Sequence, residues 1–388
     1  MIDPLFGYPR PDGRWGFRNH VLILPLHTAA CTAAARATAL VPGTVTVAHD
    51  WTGEGHPADH ERVHRIFTGF ATHPNVAGTV LVGLDQADEA IAAAAAAHGH
   101  PAEFLSLAGC GGSAATVEAT ATIARRLVAA STQTKRQRAP LSALCLGLEC
   151  GGSDALSGIT ANPALGVASD RLVAAGATTI LAETSELIGA EHLLAARAVS
   201  PDVAAALLAT IARFEDAASA LGLDLRNGQP VPGNIAGGLT TIEEKSLGAA
   251  KKGGNGPLHG VVDYAEPIRT PGLTVMDTPG NDIEQMVGMV AAGAQVVAFT
   301  TGRGTPTGSP IAPCLKIATN TDLYARLGGD LDLDAGTVLA GEPLDDVGER
   351  ILDAVIDTLN GSPTAAERHG NREFALSRLH PRWPQEQA

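Results

Sequence analysis

The sequence predicts an α/β protein of two lobes, each built on a mainly parallel sheet flanked by helices. The chain has 388 residues, of which 45% are hydrophobic, so it can form two or three domains with a sizeable core. Short apolar runs alternate along it with longer Ala-rich segments. Strands separated by helical segments indicate βαβ units, in which neighbouring strands run parallel.

Four such strands are predicted in the first half of the chain. Their ranges are 21–26, 45–47, 78–84 and 104–107, and predicted helices cover 33–40, 60–71, a segment ending at Ala97, and 114–130. The polar and basic segment STQTKRQRAP, at 131–140, is typical of a domain boundary. We therefore predict an N-terminal α/β domain over 1–138 and a C-terminal catalytic α/β domain over 139–388.

The second half repeats the pattern. Predicted strands cover 144–148, 179–183, 273–276 and 295–300, and predicted helices cover 164–175, 188–198, 201–221, 283–292 and 347–359. Polar clusters follow three of these strands. Because open parallel sheets bind ligands at the carboxyl ends of their strands, we expect these clusters to share one site.

Composition excludes several classes of partner. The net charge is −14 and no basic stripe is present, which argues against nucleic acid. No apolar run is long enough to span a membrane, and the first residues have no apolar leader core. The five cysteines have no tight pair spacing, so we expect a reduced, cytoplasmic protein without disulfides.

Two segments rich in glycine and small polar residues indicate a ligand site. They are 147–170 (GLECGGSDALSGITANPALGVASD) and 299–313 (FTTGRGTPTGSPIAP). Such backbones close around polar small molecules, and an Arg between glycines suits an anion. The candidate substrate-binding residues here are Ser153, Asp154, Asn162, Thr301, Gly302, Arg303 and Gly304. The alternative is that both segments are ordinary Gly-rich loops.

The segment DTPGND, at 277–282, offers a second set of polar groups. Asp277, Asn281 and Asp282 can hold a divalent cation or orient a hydroxy acid, or Asn281 or Asp282 can cap the following helix. Lys245 lies in a helix that begins with a predicted capping box of Thr241 and Glu244. It can act as a base or hold a carboxylate, or it can be a solvated lysine.

The first half is also rich in histidine. His60 and His64 are four residues apart in a predicted helix, a spacing that can bind a metal. Pro57 separates His56 from this pair, because a helix more often begins after a proline. Solvated or core histidines are the alternative.

Long motifs along nearly the whole chain resemble the altronate/galactarate dehydratase family in its large catalytic region. They include GYPRPDGRWGFRNHVLILP, THPNVAGTVLVGL, GLECGGSDALSGITANPALG, ETSELIGAEHLLAARA, PGNIAGGLTTIEEKSLG, DTPGND and FTTGRGTPTGSPIAPCLKIATN. The resemblance implies a metal-dependent lyase that removes water from a sugar acid to give a 2-keto-3-deoxy acid. It further implies a small N-terminal-type subunit, and we expect a homo-oligomer.

One departure from the family concerns metal ligands. Family members carry cysteines at three places in the N-terminal half. In this chain the second place falls near Gly53 and the third at Gln86, and neither is a cysteine. Cys31 lies near the first place but does not coincide with it. His49 and His60 resemble family histidines. The divalent metal, whether iron, manganese or zinc, would then be bound by His27, His49, His60 and His64. The alternatives are a different use of metal or loss of the standard reaction.

These residues give a provisional assignment of roles. Arg303, aided by Thr301 and Ser153, would bind the substrate carboxylate, and Glu149 or Lys245 would be the base. His49 and His60 would bind metal or supply the acid. Two other functions stay open: a carbon–sulfur lyase that releases sulfite from a substrate such as sulfolactate, to whose sulfo-lyase large subunit the chain is also similar, and a non-catalytic paralogue that binds a sugar acid.

Overall fold

A computed structural model describes residues 3–86 and 89–378, and it confirms an α/β fold with parallel sheets flanked by helices. The strands of the first half are β1 (Leu5–Pro9), β2 (Trp15–Gly16), β3 (His20–Pro25), β4 (Thr44–Thr46), β5 (Val76–Gly83), β6 (Ala102–Ser106) and β7 (Gln137–Ala139). The helices are α1 (Thr28–Leu40), α2 (Pro57–Ala71), α3 (Glu89–Ala97), α4 (Leu107–Cys110) and α5 (Ser113–Ser131).

The second half forms the larger lobe. Its strands are β8 (Cys145–Cys150), β9 (Thr178–Leu181), β10 (Leu258–Val262), β11 (Gly272–Met276), β12 (Val296–Thr301), β13 (Cys314–Ala318) and β14 (Leu333–Asp334). Its helices are α6 (Ala161–Ala174), α7 (Glu191–Ala195), α8 (Pro201–Ala220), α9 (Leu225–Gly228), α10 (Pro232–Ala236), α11 (Ile242–Ala250), α12 (Asp282–Ala291), α13 (Thr321–Leu327), α14 (Leu344–Asn360) and α15 (Ala365–His369). Short 3₁₀ turns cover Leu141–Ala143, Thr184–Glu186, Lys251–Gly253 and Gly336–Ala340.

Each lobe is built on one parallel sheet. The N-terminal sheet has the order β4-β3-β5-β6, and the C-terminal sheet the order β10-β11-β9-β8-β12-β13-β14. The central strands are almost wholly apolar and buried, as expected when helices cover both faces of a parallel sheet.

Strand order locates a crevice in the C-terminal sheet. From β8 the chain moves to β9 on one side, and β12 pairs with β8 on the other. The loops that follow these two adjacent strands therefore leave in opposite directions and open a crevice at the carboxyl ends of β8 and β12. Open α/β sheets bind their ligands in such crevices. The two Gly-rich segments of the sequence meet there, because one follows β8 and the other follows β12.

A buried junction joins the lobes at the turn between α2 and β5. The Nε2 of His73 lies 3.1 Å from the carbonyl oxygen of Ala294, and Nδ2 of Asn75 donates to the carbonyls of Gln295 and Ile311. Both side chains are fully buried. The two sheets are therefore coupled by hydrogen bonds as well as by apolar packing.

The structure differs from the sequence predictions at several elements. The predicted helix over 188–198 is only α7, because the chain before it is taken up by a 3₁₀ turn around Glu186. Strands β10, β13 and β14 were not predicted, and the predicted boundary at 131–140 contains β7, which pairs with β1. The C-terminal tail from 380 lies outside the described residues. Within the described residues, no helix has the length and apolar character needed to cross a membrane.

Candidate active site at the carboxyl end of the C-terminal sheet

The turn Gly151–Gly152 follows β8 and lies at the crevice between β8 and β12. A Cβ on Gly151 would collide with the carboxylate of Asp282 and the ring of Phe299. Gly152 has φ of 62°, a conformation that favours glycine, and lies against the side chain of Arg303. The two glycines therefore let an acidic and a basic side chain approach the same turn from two loops.

A fully buried lysine lies below this turn. Nζ of Lys252 donates to Oε2 of Glu183 at 2.6 Å and to Sγ of Cys150 at 2.9 Å. Sγ of Cys150 also lies 3.2 Å from Oε2 of Glu186. Burial alone would lower the pKa of Lys252, but the surrounding Cys150 and glutamates raise it well above its usual value. Lys252 is therefore a fixed positive charge at the centre of an acidic cluster.

Glu183 and Glu186 share a 3₁₀ turn and behave oppositely. Burial and the charge of Glu186 raise the pKa of Glu183. Burial also disfavours ionised Glu186, but Nζ of Lys245, at 2.7 Å, lowers its pKa below the usual range. Glu183 has φ of 73°, which is rare for a residue with a side chain, and its N–H donates to the hydroxyl of Thr278. Strained backbone of this kind concentrates at functional sites.

Glu149 is the carboxylate of the site that lacks hydrogen-bond partners. Its side chain is 0% exposed, and neither carboxylate oxygen has a hydrogen-bond partner. Burial and the charge of Glu183 raise its pKa well above the usual value. A buried carboxylate without partners is costly, so such a group needs an explanation such as a catalytic role or a bound ion.

Lys316 is a second fully buried lysine, on β13. Its Nζ has no hydrogen-bond partner and lies 3.3 Å from the centre of the Phe299 ring. Burial lowers its pKa, and Cys314 and Glu149 oppose that effect. The ring supplies a cation–π contact, which does not replace the hydrogen bonds of an ammonium group.

Two groups of side chains bring three ligand atoms within 4.8 Å of one another. One is Cys150, Glu183 and Glu186; the other is Glu149, Glu183 and Asp282. The ammonium group of Lys252 already contacts two members of the first group. The second group contains the unpartnered Glu149 and consists only of oxygen ligands.

Most of the predicted polar residues of the Gly-rich loops hold the loops together. Asp154 accepts from Ser157 with Oδ1 and from Thr319 with Oδ2, and it lies against Gly302. Oγ1 of Thr301 accepts from the backbone N–H groups of Arg303, Gly304 and Thr305. These contacts shape the loops and leave few free polar atoms on Asp154 and Thr301.

The other predicted substrate-binding residues also have partners. Asn162 accepts from the hydroxyl of Thr300 and donates to the carbonyl of Gly248. Asp277 accepts from Thr184 and pairs with Arg213. The hydroxyl of Ser153 lies 3.4 Å from Sγ of Cys150. Asn281 is the N-cap of α12, which is the structural alternative that the sequence left open.

Two predicted residues, Asp282 and Arg303, remain open to a ligand. Asp282 follows the N-cap of α12, is only partly buried, and lies against Gly151. Arg303 is exposed, and its side chain runs along Gly152 towards Gly233. Asp282 and Arg303 therefore lie against adjacent residues of the Gly151–Gly152 turn.

The four predicted metal-binding histidines do not come together as a ligand set. The ring nitrogens of His27 contact the carbonyl of Thr52 and the N–H of Ala29, and those of His49 contact Pro25 and Trp51. Within the described residues, neither close group of ligand atoms includes a histidine. His27, His60 and His64 instead line an open cleft of about 1200 Å³, whose lining also includes residues 267–269 and 291–292 of the C-terminal half.

Lys245 and Glu149 were predicted, but the sequence reasoning missed Glu183, Glu186, Lys252, Lys316 and also Gln285, whose side-chain amide donates to Oε1 of Glu183. Two of these carried a signal. Glu183 closes an apolar strand run, and Lys316 interrupts the apolar run CLKIA. A lone charge in a run that is otherwise buried indicates either an exposed edge or a paired internal site. Lys252 had no such mark, because it follows another lysine in a polar segment.

Comparisons with known proteins agree with the motifs. Residues 141–381 match the family model described as D-galactarate/Altronate dehydratase, C-terminal, and residues 7–132 match D-galactarate dehydratase/Altronate hydrolase, second domain. The chain is 35% identical to the altronate dehydratase of Escherichia coli, over 95% of this chain and 76% of that protein.

Two further relatives differ in coverage. The chain is 35% identical to the (2R)-sulfolactate sulfo-lyase subunit beta of Chromohalobacter salexigens, over 96% of this chain and 97% of that protein. It is 39% identical to the galactarate dehydratase (L-threo-forming) of Escherichia coli, over 62% of this chain and 46% of that protein. These matches confirm the resemblance seen in the motifs. The chain belongs to the D-galactarate/altronate dehydratase family.

Proposed function

We propose that this protein is a hydro-lyase that removes water from a sugar acid or related hydroxy acid and yields a 2-keto-3-deoxy acid. One observation supports it most: Asp282 and Arg303 lie against the Gly151–Gly152 turn at the crevice of the C-terminal sheet, and an oxygen of the buried Glu149 lies within 4.8 Å of one of Asp282. Dehydration requires a base for the proton next to the carboxylate and a cation to bind that carboxylate.

The roles follow from the partners of each side chain. Arg303 binds the substrate carboxylate, because its guanidinium is exposed and has five donors in a planar fork. Glu149 takes the α-proton in its ionised form, because its oxygens have no other partner and a carboxylate with a raised pKa is a stronger base. Lys245 is a weaker choice for the base, because its ion pair with Glu186 keeps it protonated.

The reaction balances without a redox partner. Glu149 takes the α-proton and returns it to the hydroxyl group of the neighbouring carbon, which leaves as water, and the resulting enol tautomerises to the 2-keto acid. Glu149 is buried, so the Gly-rich loops must open before a substrate reaches its carboxylate. His60, predicted as acid or metal ligand, lies in the N-terminal cleft, and this mechanism gives it no step.

A divalent metal belongs to the proposal. A bound cation would stabilise the negative charge that develops on the substrate carboxylate. The oxygen ligands of Glu149, Glu183 and Asp282 fit such an ion. Metal analysis of the purified protein distinguishes iron, manganese and zinc.

Partners are also proposed from the relatives. The sulfolactate relative is named as a subunit beta, which supports a second chain as partner of this protein. A small-molecule hydroxy acid is the proposed substrate, and a homo-oligomer remains a prediction from the sequence.

The first experiment assays the purified protein with a panel of hexonates, hexarates and sulfolactate, measuring both 2-keto acid and sulfite. Formation of 2-keto acid without sulfite from a sugar acid supports the hydro-lyase. The near-complete coverage of the sulfo-lyase subunit makes sulfite release the second candidate, and sulfite from sulfolactate alone would favour it. No turnover of any acid, with metal and a small subunit added, would favour the non-catalytic paralogue.

The second experiment tests Arg303. Arg303→Ala should lower kcat/KM on the order of a hundredfold, because charge-assisted bonds to the carboxylate are lost. Arg326→Ala, which removes another exposed guanidinium on α13, is the matched control. Equal kcat/KM in the two variants would remove Arg303 from the site.

A further inference from the structure

We infer that the open cleft lined by His27, His60 and His64 is a second ligand site, and that it binds a nucleoside phosphate. The described residues that line this cleft do not include Glu149, Asp282 or Arg303. The inference concerns binding alone. It therefore does not depend on which acid the protein acts on, or on whether it turns one over.

The strand order of the N-terminal sheet locates the cleft at a switch in chain direction. From β3 the chain moves through α1 to β4 on one side, and β5 pairs with β3 on the other. The residues that follow β3, Leu26 and His27, and those that follow β5, Leu84 and Asp85, all line the cleft. Doubly wound sheets bind nucleotides at such a point, outside the carboxyl ends of the strands.

The cleft has the size and the apolar walls that a nucleoside needs. Its volume of about 1200 Å³ is at the upper end of small-molecule pockets, which are roughly 300–1,000 Å³. Leu26, Phe67 and Ile268 supply apolar surface. The exposed ring of His60 packs edge-on against Trp51, with ring centres 5.0 Å apart, which holds it in place. Bases stack on aromatic and imidazole rings, so this wall suits the base of the ligand.

The charge of the lining differs from that of the whole chain. The net charge of the protein is −14, yet the lining has three arginines and four histidines against only two acidic side chains, Glu61 and Asp85. A cleft lined mainly by groups of one sign concentrates ligands of the opposite sign. The lining therefore favours an anion over a cation, in agreement with histidines that do not converge on a metal.

Two of the arginines have donors available for a phosphate. Arg269 is exposed and makes no hydrogen bond or ion pair with another described residue. Arg65 donates through Nη1 to the carbonyl of Tyr264, and its other guanidinium nitrogens make no further bond among the described residues. Arg14, by contrast, already pairs with Asp12. Guanidinium groups bind phosphate oxygens through paired, charge-assisted hydrogen bonds, so Arg65 and Arg269 suit the phosphate of the ligand.

The test measures binding to the purified full chain by titration calorimetry. The probes are AMP, GMP, CMP, UMP, ADP and flavin mononucleotide, with adenosine and inorganic phosphate as the two halves of such a ligand. At least one nucleotide should bind at one site per chain, at least tenfold tighter than adenosine or phosphate, because the apolar wall and the guanidinium groups then act together.

Variants locate the site. Arg269→Ala should weaken nucleotide binding at least tenfold, because charge-assisted bonds to the phosphate are lost. Arg125→Ala, which removes an exposed arginine of α5 outside the cleft, is the matched control and should leave the affinity within about threefold. Arg303→Ala should also leave it within about threefold, because Arg303 belongs to the other site. Circular dichroism checks that each variant is folded, and Arg65→Ala decides if Arg269→Ala is not.

Four results would overturn the inference. They are wild-type protein that binds no nucleotide more tightly than about 1 mM, phosphate that binds as tightly as the nucleotides, Arg269→Ala that binds like Arg125→Ala, and Arg303→Ala that loses binding as much as Arg269→Ala. Nucleotide binding without turnover of any acid would uphold this inference and contradict the proposed function. Turnover by a chain that binds no nucleotide would do the reverse.

Discussion

Two buried lysines at the candidate active site differ only in their partners. Lys252 and Lys316 are both 0% exposed, but Lys252 donates to Glu183 and Cys150, whereas Lys316 faces the ring of Phe299 without a hydrogen bond. The pKa of the first is raised by its neighbours, and that of the second is lowered by burial. Residue type and burial therefore do not determine protonation at this site; the paired charges do.

Lys252→Met should be strongly destabilising. It removes one partner of a buried ion pair and leaves Glu183 without its cation, a change that costs about 3–5 kcal/mol. Urea unfolding measures the loss. Lys251→Met, at the exposed neighbouring position, is the matched control and should change stability by about 0.5 kcal/mol or less. Similar values for the two variants would show that Lys252 does not stabilise the fold through its pair.

At the scale of elements, the site depends on close approach between a turn and a helix. α12 begins at Asp282 after the N-cap Asn281, and its first residue fits only because Gly151 has no side chain. The N-cap orients the helix, and the glycine sets its distance from β8. The N-cap and the glycine are each a single-residue feature, yet together they position α12 against the turn after β8, which is far from α12 in the chain.

Gly151→Ala should destabilise the protein by about 1–3 kcal/mol, because its Cβ would overlap Asp282 and Phe299 and force a shift of packed groups. The same shift should weaken Mn²⁺ binding by moving Asp282. Gly329→Ala is the control, since a Cβ there has no neighbour within 4 Å. Thermal unfolding and Mn²⁺ titration are the measurements. A Gly151→Ala variant as stable as Gly329→Ala would mean that the turn tolerates a side chain.

At the scale of the molecule, the lobes are joined by neutral buried groups. Burial, with the charge of Arg14, lowers the pKa of His73 to about 3, while its ring contacts Ala294 in the other lobe. The unfolded chain has an ordinary histidine with a pKa near 6.5. The unfolded state therefore binds more protons below that value, and His73 stabilises the fold less as pH falls from about 6.5 towards about 3.

This effect predicts a pH-dependent stability. Between pH 7 and pH 5 the wild-type protein should lose up to about 2 kcal/mol of unfolding free energy through His73. His73→Gln, whose amide can still donate to Ala294, should be less stable at pH 7 but should lose less between the two pH values. Urea unfolding at both pH values gives the two differences. Equal losses in wild type and variant would show that His73 does not control this dependence.

Sequence reasoning predicted best the features that depend on residues close together in the chain. The alternation of strands and helices was predicted because burial on both faces makes parallel strands continuously apolar, as in β5 and β12. Helix ends were less predictable: α2 begins at Pro57 itself, with His56 as its N-cap. The helix predicted over 188–198 is shortened to α7, because residues 188–190 form a turn after the 3₁₀ turn of Thr184–Glu186.

Roles of polar residues were predicted less well than their location. Asp277, Asp154 and Thr301 stay predicted ligand contacts, and the structure adds that they hold loops together through bonds to residues such as Thr184 and Thr319. Lys252 was missed because its partners, Cys150 and Glu183, are distant in sequence. The hydrophobic periodicity of a sequence does not predict contacts between residues that are distant in the chain and meet only in the folded protein.

By itself, the sequence determined the fold class, the family and the two Gly-rich loops that meet at the crevice, because apolar periodicity and long motifs are local properties of the chain. The tertiary structure decided which charges meet there. It left Glu149 without a partner, placed Lys252 against Cys150, and separated the histidines from both acidic groups. The physical reason is that the charge state and ligand capacity of a buried group depend on neighbours within a few ångströms, and those neighbours come from distant parts of the chain.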